Sequence, residues 1–129
     1  MVGMLLAACS SDSVCGPAAP LPASAELQQE LILQHEKSII RTQTDFPNAL
    51  KGGPGFTRET AWQILIKDRA AVTFEYLVLG RLGLGEQRMQ ALVEEEGRYY
   101  DMHIIDVEHD GRHYSVEQWF DITPYFKSM

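Results

Sequence analysis

Cysteine is nearly missing from this 129-residue chain: it occurs twice, as Cys9 and Cys15, and nowhere beyond. The region after residue 25 therefore has neither a disulfide to staple it nor a thiol nucleophile. Two cysteines with no histidine near them in sequence fall short of the four ligands that structural zinc takes. Runs of basic residues are missing too. The 11 Lys and Arg face 18 Asp and Glu, for a net charge of −7, and the only charge among the first 25 residues is Asp12. The negative field thus belongs to the rest of the chain, where it repels phosphate backbones and anionic headgroups. Nucleic acid is not an expected partner, and a basic protein or peptide is the easier one. No stretch reaches the roughly 20 consecutive apolar residues that span a bilayer. Catalytic signatures are equally sparse. No Gly-x-Ser-x-Gly elbow is present, and Gly52-Gly53-Pro54-Gly55 lacks the closing Lys-Ser/Thr and the helix of a phosphate loop. That stretch reads as a turn, and no cofactor is expected.

What is present is the make-up of an ordinary globular chain, 45% hydrophobic and 22% charged, of a length that suits one domain. Residues 1–8 are apolar and uncharged. After Cys9 the chain turns at once to Ser10, Ser11, Asp12 and Ser13, then to a Pro- and Ala-rich run ending at Ala25. Residues 1–25 thus read as a signal and flexible tether, and residues 26–129 as a single α+β domain. Leu6-Ala7-Ala8-Cys9 resembles the lipobox of bacterial lipoproteins, in which the chain is cleaved before the cysteine and the thiol carries diacylglycerol. The resemblance implies lipidation at Cys9 and a membrane anchor on the periplasmic side of the cell envelope. No Lys or Arg precedes the apolar stretch, a departure that a start upstream of Met1 would explain. If the leader is not a signal, the expected location is the cytoplasm.

Ser24 is a suitable N-cap, and Ala25 to Ile40 is rich in helix formers, with Leu27, Leu31 and Gln34, together with Ile32, Leu33 and Ile39, in an uneven apolar stripe. This predicts a helix ending near Arg41. Thr42 to Gly55 collects Asp45, Pro47, Asn48 and glycines, the chemistry of a loop. Trp62, Ile64 and Ile66 alternate as a short strand. Lys67-Asp68 then precede a second helix, Arg69 to Leu82, with Ala70, Phe74, Leu77, Val78 and Arg81 on one face.

Glu86 to Glu96 suits helix or strand by composition, and register decides for strand. Glu96-Gly97 and Asp110-Gly111 are hairpin signals. Two-residue turns there set Val93 opposite Tyr100, Ala91 opposite Met102 and Met89 opposite Ile104, an apolar set on one face. The second turn sets Val107 opposite Tyr114, Ile105 opposite Val116 and Asp101 opposite Phe120, on the other face of the same central strand. The fold class is therefore α+β: a C-terminal antiparallel β-meander of three strands, with a short strand near Trp62–Ile66, packed on one or two helices. An apolar sheet face left in water costs roughly 25 cal/mol per Å². The second helix covers one face. The other is covered by the first helix, relieved by a β-bulge near Ile104-Ile105, or covered by another protein, in that order of expectation.

Three marks, Gly52 to Gly55 running on through Glu59, Ala61 and Ile64, then Tyr100-Asp101, then Trp119-Phe120-Asp121-Ile122-Thr123, resemble a small uncharacterised bacterial family over residues 52–126. The resemblance implies the same fold and brings no activity, ligand or catalytic residue.

Asp106, Glu108 and His113 are the set that register spaces to converge on a divalent ion, with Glu108 opposite His113 and Asp106 opposite Ser115. A solvated hairpin edge with one cross-strand ion pair is the plainer reading, and no metal is expected. His103 belongs to the other face and His109 to the turn. Asp101 and Asp121 sit among aromatics but point to opposite sides. Asp121 is expected to cap the turn at Ile122-Thr123-Pro124, and Asp101 to pair with a buried donor. Glu94-Glu95-Glu96 is either a solvated hairpin end or an acidic docking spot for a basic partner. Trp119, Tyr125 and Phe126 either complete the core or form an interface. No residue is assigned a catalytic role. The expected function is a non-enzymatic envelope lipoprotein domain that binds another protein, as inhibitor, immunity factor or assembly accessory. The alternative is a small hydrolase or ligand-binding domain with its site between helix and sheet, where Asp101, His103 or Asp121 would converge in a pocket.

Overall fold

The computed structural model describes residues 19–128. The expected lipidation site Cys9 and the second cysteine, Cys15, lie outside the described residues. Ser24 opens α1 (Ala25–Gln34), its hydroxyl accepting from the Leu27 N–H at 3.1 Å. The expected single helix is two helices. At His35 the backbone leaves helical geometry, with φ −105° and ψ 16°, and the Leu31 carbonyl is shared between the His35 N–H at 3.0 Å and its ring Nδ1 at 2.9 Å. The second helix, α2 (Glu36–Asp45), runs on past Arg41 into the stretch expected to be loop. The hydroxyls of Ser38, Thr42 and Thr44 donate back to carbonyls of the preceding turn, so poor helix formers are accommodated there. Phe46 then closes the segment edge-on against Phe74, with centroids 5.1 Å apart.

The same stretch hides a strand. β1 (Leu21–Pro22) precedes the helices; β2 (Leu50–Gly52) pairs antiparallel with β3 (Trp62–Ile64), setting the buried Leu50 opposite Ile64. Its flanking Pro47 and glycines mask it in the sequence, but they also shape what lies beyond it. The Gly-Gly-Pro-Gly backbone lies against the Trp62 indole so closely that a Cβ on Gly53 would sit 2.6 Å from the ring, and one on Gly55 2.5 Å. Between them and β3, a single 3-10 turn (Arg58–Thr60) is capped by Thr57.

α3 (Ala70–Leu82) begins where the Asp68 carboxylate accepts from the Ala70 N–H at 2.9 Å, and ends at Gly83 with φ 65°. Of the expected face Val78 is buried and Phe74 packs against the core, but Ala71, Glu75 and Leu82 are buried in place of Ala70, Leu77 and Arg81. Apolar periodicity treats a glutamate as outward-facing. Here Glu75 is fully buried because it has a partner on the sheet, and the covered face is rotated by one residue.

The meander forms as the two turns dictate. β4 (Glu86–Glu95), β5 (Arg98–His109) and β6 (Arg112–Asp121) are joined by Glu96-Gly97, with φ 53° and 78°, and by Asp110-Gly111, with φ 51° and 77°. Positive φ at both central residues is the twist-matched hairpin geometry. Val93 faces Tyr100, Ala91 faces Met102, Met89 faces Ile104, Ile105 faces Val116 and Asp101 faces Phe120. The sheet order is β2-β3-β6-β5-β4, with β3 parallel to β6 and β1 lying beside Tyr114 and Ser115 of the same strand. A terminal turn of helix, α4 (Thr123–Lys127), stacks Phe126 on Tyr99 at 4.0 Å.

All the buried apolar residues of the helices gather on one side of this sheet. Leu27, Leu31, Ile39, Ala71, Val78 and Leu82 join Ile105, Val107, Val116 and Phe120 in a single cluster. The first helix therefore does not cover the second sheet face, as expected first. The bulge, expected second, is present: β4 slips register between Gln87 and Met89, opposite Ile104 and Ile105.

Candidate interface

Because register alternates, the side of the sheet away from the helices carries Met89, Ala91 and Val93 from β4, Tyr100, Met102 and Ile104 from β5, and Trp119 from β6. None of these belongs to the core cluster. Tyr100 is buried, Met89 is exposed, and the rest are half-buried. The Tyr100 ring meets Trp119 edge-on at 5.8 Å, and the Trp119 indole N–H donates to Glu117 Oε1 at 2.8 Å, which fixes the largest aromatic of the face in place. Rigid aromatic area with a satisfied polar tip is what protein interfaces favour.

Ion pairs frame this apolar strip at both ends. At one end the bulge turns Arg88 onto Asp106: Nη2 donates to Oδ2 at 2.7 Å and Nε at 3.2 Å, while His113 Nδ1 lies 2.8 Å from Oδ1. The Arg88 guanidinium first, and His113 second, hold the Asp106 carboxyl below its ordinary value. These groups, with Ile104 and Pro20, line a cavity of about 550 Å³. At the other end Arg98 binds Asp121 at 2.7 Å, Arg58 binds Glu95, and a polar cavity of about 580 Å³ opens beside Tyr100.

On the covered side a different group converges. His103 Nε2 and Glu75 Oε1 are 2.8 Å apart and both residues have no exposed surface. The His103 ring is held edge-on between Tyr76 at 5.5 Å and Phe120 at 5.4 Å. Burial first, and the neighbouring Asp101 carboxyl second, push Glu75 up to about 10, whereas burial lowers His103. Both shifts disfavour the charged forms, so the pair is neutral near pH 7 and joined by a hydrogen bond between Oε1 and Nε2. Trp62, Gln118 and Val78 are also fully buried, and Trp62 Nε1 donates to Gln118 Oε1 at 2.9 Å, while Glu75 Oε2 and His103 Nδ1 have no hydrogen-bond partner among the described residues. Between α3 and the sheet the described residues leave a cavity of about 120 Å³, lined by Tyr76, Leu79, Gln87 and Ile105, and none of Asp101, His103 and Asp121 lines it.

The residues singled out in the sequence are thus separated. Glu108 stands opposite His113 and Asp106 opposite Ser115 as expected, but Asp106 bonds His113 and Arg88 rather than gathering with Glu108, and no set of three His, Cys, Asp or Glu among the described residues is arranged to hold a metal ion. Asp121 caps the C-terminal turn, accepting from the Thr123 N–H at 3.0 Å and its hydroxyl at 2.6 Å. Asp101 lies on the opposite face, beside Glu75. Tyr125 and Phe126 pack against the core, and Trp119 is on the helix-free face. Glu94, Glu95 and Glu96 are exposed at the end of β4. Two groups escaped sequence reasoning: Glu75, whose 71-75-78-82 spacing is helical but reads as interrupted, and Arg88, which a bulge re-aims. Comparison of the chain with protein families, with characterised proteins and with solved structures finds no match.

Proposed function

We propose that this protein is an envelope lipoprotein, lipidated at Cys9, whose single domain binds another protein through the helix-free face of its sheet, in the manner of an inhibitor, immunity factor or assembly accessory. One observation carries the reading. An apolar strip from Met89 to Trp119 runs across three strands, is framed by ion pairs, and is left open by every helix among the described residues. Apolar area of that kind rimmed by charge marks an interaction surface. The leader supports the envelope location, and the acidic balance of the domain favours a basic partner.

Site-specific photo-crosslinking in intact envelopes tests the interface. A crosslinker in place of Met102 is expected to yield an adduct of defined mass, whereas one in place of Leu33, exposed on α1, is not. Equal adducts from both positions, or none from Met102, would overturn the assignment. Mass spectrometry of the mature N-terminus tests the anchor: a diacylglyceryl-modified Cys9 is expected, and an unmodified leader in the soluble fraction would remove it.

A further inference from the structure

The two edges of the sheet are built differently. At one, β2 is three residues long and the Gly52 carbonyl already accepts from the Gln43 side chain at 3.0 Å. At the other, β4 runs for ten residues and pairs, among the described residues, with β5 alone. Short, capped edges discourage added strands and long open ones template them. Proteins commonly blunt a long edge with inward charge, and the one cation of β4, Arg88, is folded away onto Asp106 by the bulge. From Met89 to Val93 the edge carries no charge at all.

This uncharged stretch presents apolar side chains to both sides of the sheet, with Gln90 its one polar residue. Met89, Ala91 and Val93 continue the helix-free face. On the helix side Leu92 is 56% exposed, beside a flank of α3 that exposes Tyr76 and Val72, and the Tyr76 hydroxyl donates to Gln90 Oε1 at 2.7 Å. A strand added here would find apolar neighbours for its side chains on either face. Its ends would meet acid: Glu86 at one end, Glu94 and Glu96 at the other, the last two with no cationic partner among the described residues.

We infer that β4 is a docking edge for an extended, basic segment of the partner protein, which adds to the sheet as a further strand. The inference rests on the proposed protein-binding role and names the chemistry of what is bound. Backbone hydrogen bonds supply the pairing, alternate apolar side chains meet Met89, Val93 and Leu92, and Lys or Arg at the segment ends meet the glutamates. A second copy of this chain fits less well. Antiparallel pairing of two β4 strands about their midpoint sets Glu86 against Glu95 and Gln87 against Glu94, which places like charges opposite each other at both ends.

Amide hydrogen exchange on the full chain tests this, with a short synthetic peptide of alternating Val and Lys as probe. At a peptide concentration about ten times its dissociation constant, exchange of the outward-facing amides between Met89 and Val93 is expected to slow about tenfold. The matching Val-Glu peptide, and a Val-Lys peptide interrupted by proline, are expected to leave it unchanged, and Glu86→Lys with Glu94→Lys to weaken the effect. Shifts at Met102 and Ile104 side chains without slowed β4 exchange would overturn strand addition while leaving the open face as the interface. Slowing that depends on protein concentration without peptide would overturn it in favour of self-pairing. No response from either the edge or the face to the Val-Lys peptide would also overturn it, and the Met102 crosslink would then decide separately whether the face binds protein.

Discussion

Glu75 is the residue whose protonation reports most directly on the core. Its folded pKa lies near 10, far above the unfolded value of about 4.3, so the folded state keeps a proton that the unfolded state gives up. The stability this contributes is complete below the ordinary glutamate range and is lost as pH rises toward 10. His103 works in the opposite sense, because its lowered pKa favours the unfolded, protonated form below about 6.5. Above about pH 7 only Glu75 remains, and stability is expected to fall toward about pH 9 by at most about 1.4 kcal/mol per pH unit. Glu75→Gln keeps the shape and removes the titration. Urea unfolding at both pH values is expected to show a flat profile for the variant and a declining one for the parent. Asp121 is the second informative residue. Its buried carboxylate serves Arg98 and Thr123 together. Asp121→Ala is therefore expected to cost about 2 kcal/mol in urea unfolding, and Asp121→Asn less, since an amide oxygen still accepts from Thr123.

At the scale of elements, the turns carry the register. Gly97 and Gly111 have positive φ, and a Cβ on either would meet nothing within 4 Å. Replacing either by Ala is expected to cost about 1 kcal/mol through backbone conformation alone. Gly53→Ala is expected to cost more, because its methyl group falls on the Trp62 ring. Thermal unfolding of the three variants checks the ranking. The same turns explain why the meander was legible in sequence: an Asp-Gly or Glu-Gly pair with apolar alternation on both sides leaves one register that keeps the apolar sets together. β2 was not legible, because its three residues, the last of them Gly52, stand between Pro47 and the run Gly53-Pro54-Gly55, whose local chemistry speaks for a loop. Nor was the break at His35, which arises from side-chain competition for carbonyls rather than from apolar spacing. The buried face of α3 was read one residue out of phase for a related reason: the partner that makes Glu75 tolerable inside, His103, is 28 positions away.

For the whole molecule, the consequence of these elements is an asymmetric sheet, with α1, α2 and α3 burying their apolar residues on one face. The open face was legible as a conflict, since the register made both faces apolar before any helix was placed. What covers it was not legible, because that depends on where helices dock. The bulge at Arg88 relieves the edge of the face without hiding its centre, where Met102, Ile104 and Trp119 remain half-buried. Substituting Met102 by Lys is expected to change urea-unfolding stability by less than about 1 kcal/mol, as surface changes do, while removing partner capture in the envelope.

Hydroxyl-radical footprinting of the protein, isolated and in intact envelopes, tests the open face most directly. In the isolated protein Met89, Met102 and Trp119 are expected to be modified and Trp62 spared; in the envelope the first three are expected to be protected as well. Equal modification of Met102 and Trp119 in both states would contradict a partner on this face, and modification of Trp62 in the isolated protein would contradict the fold that leaves it open.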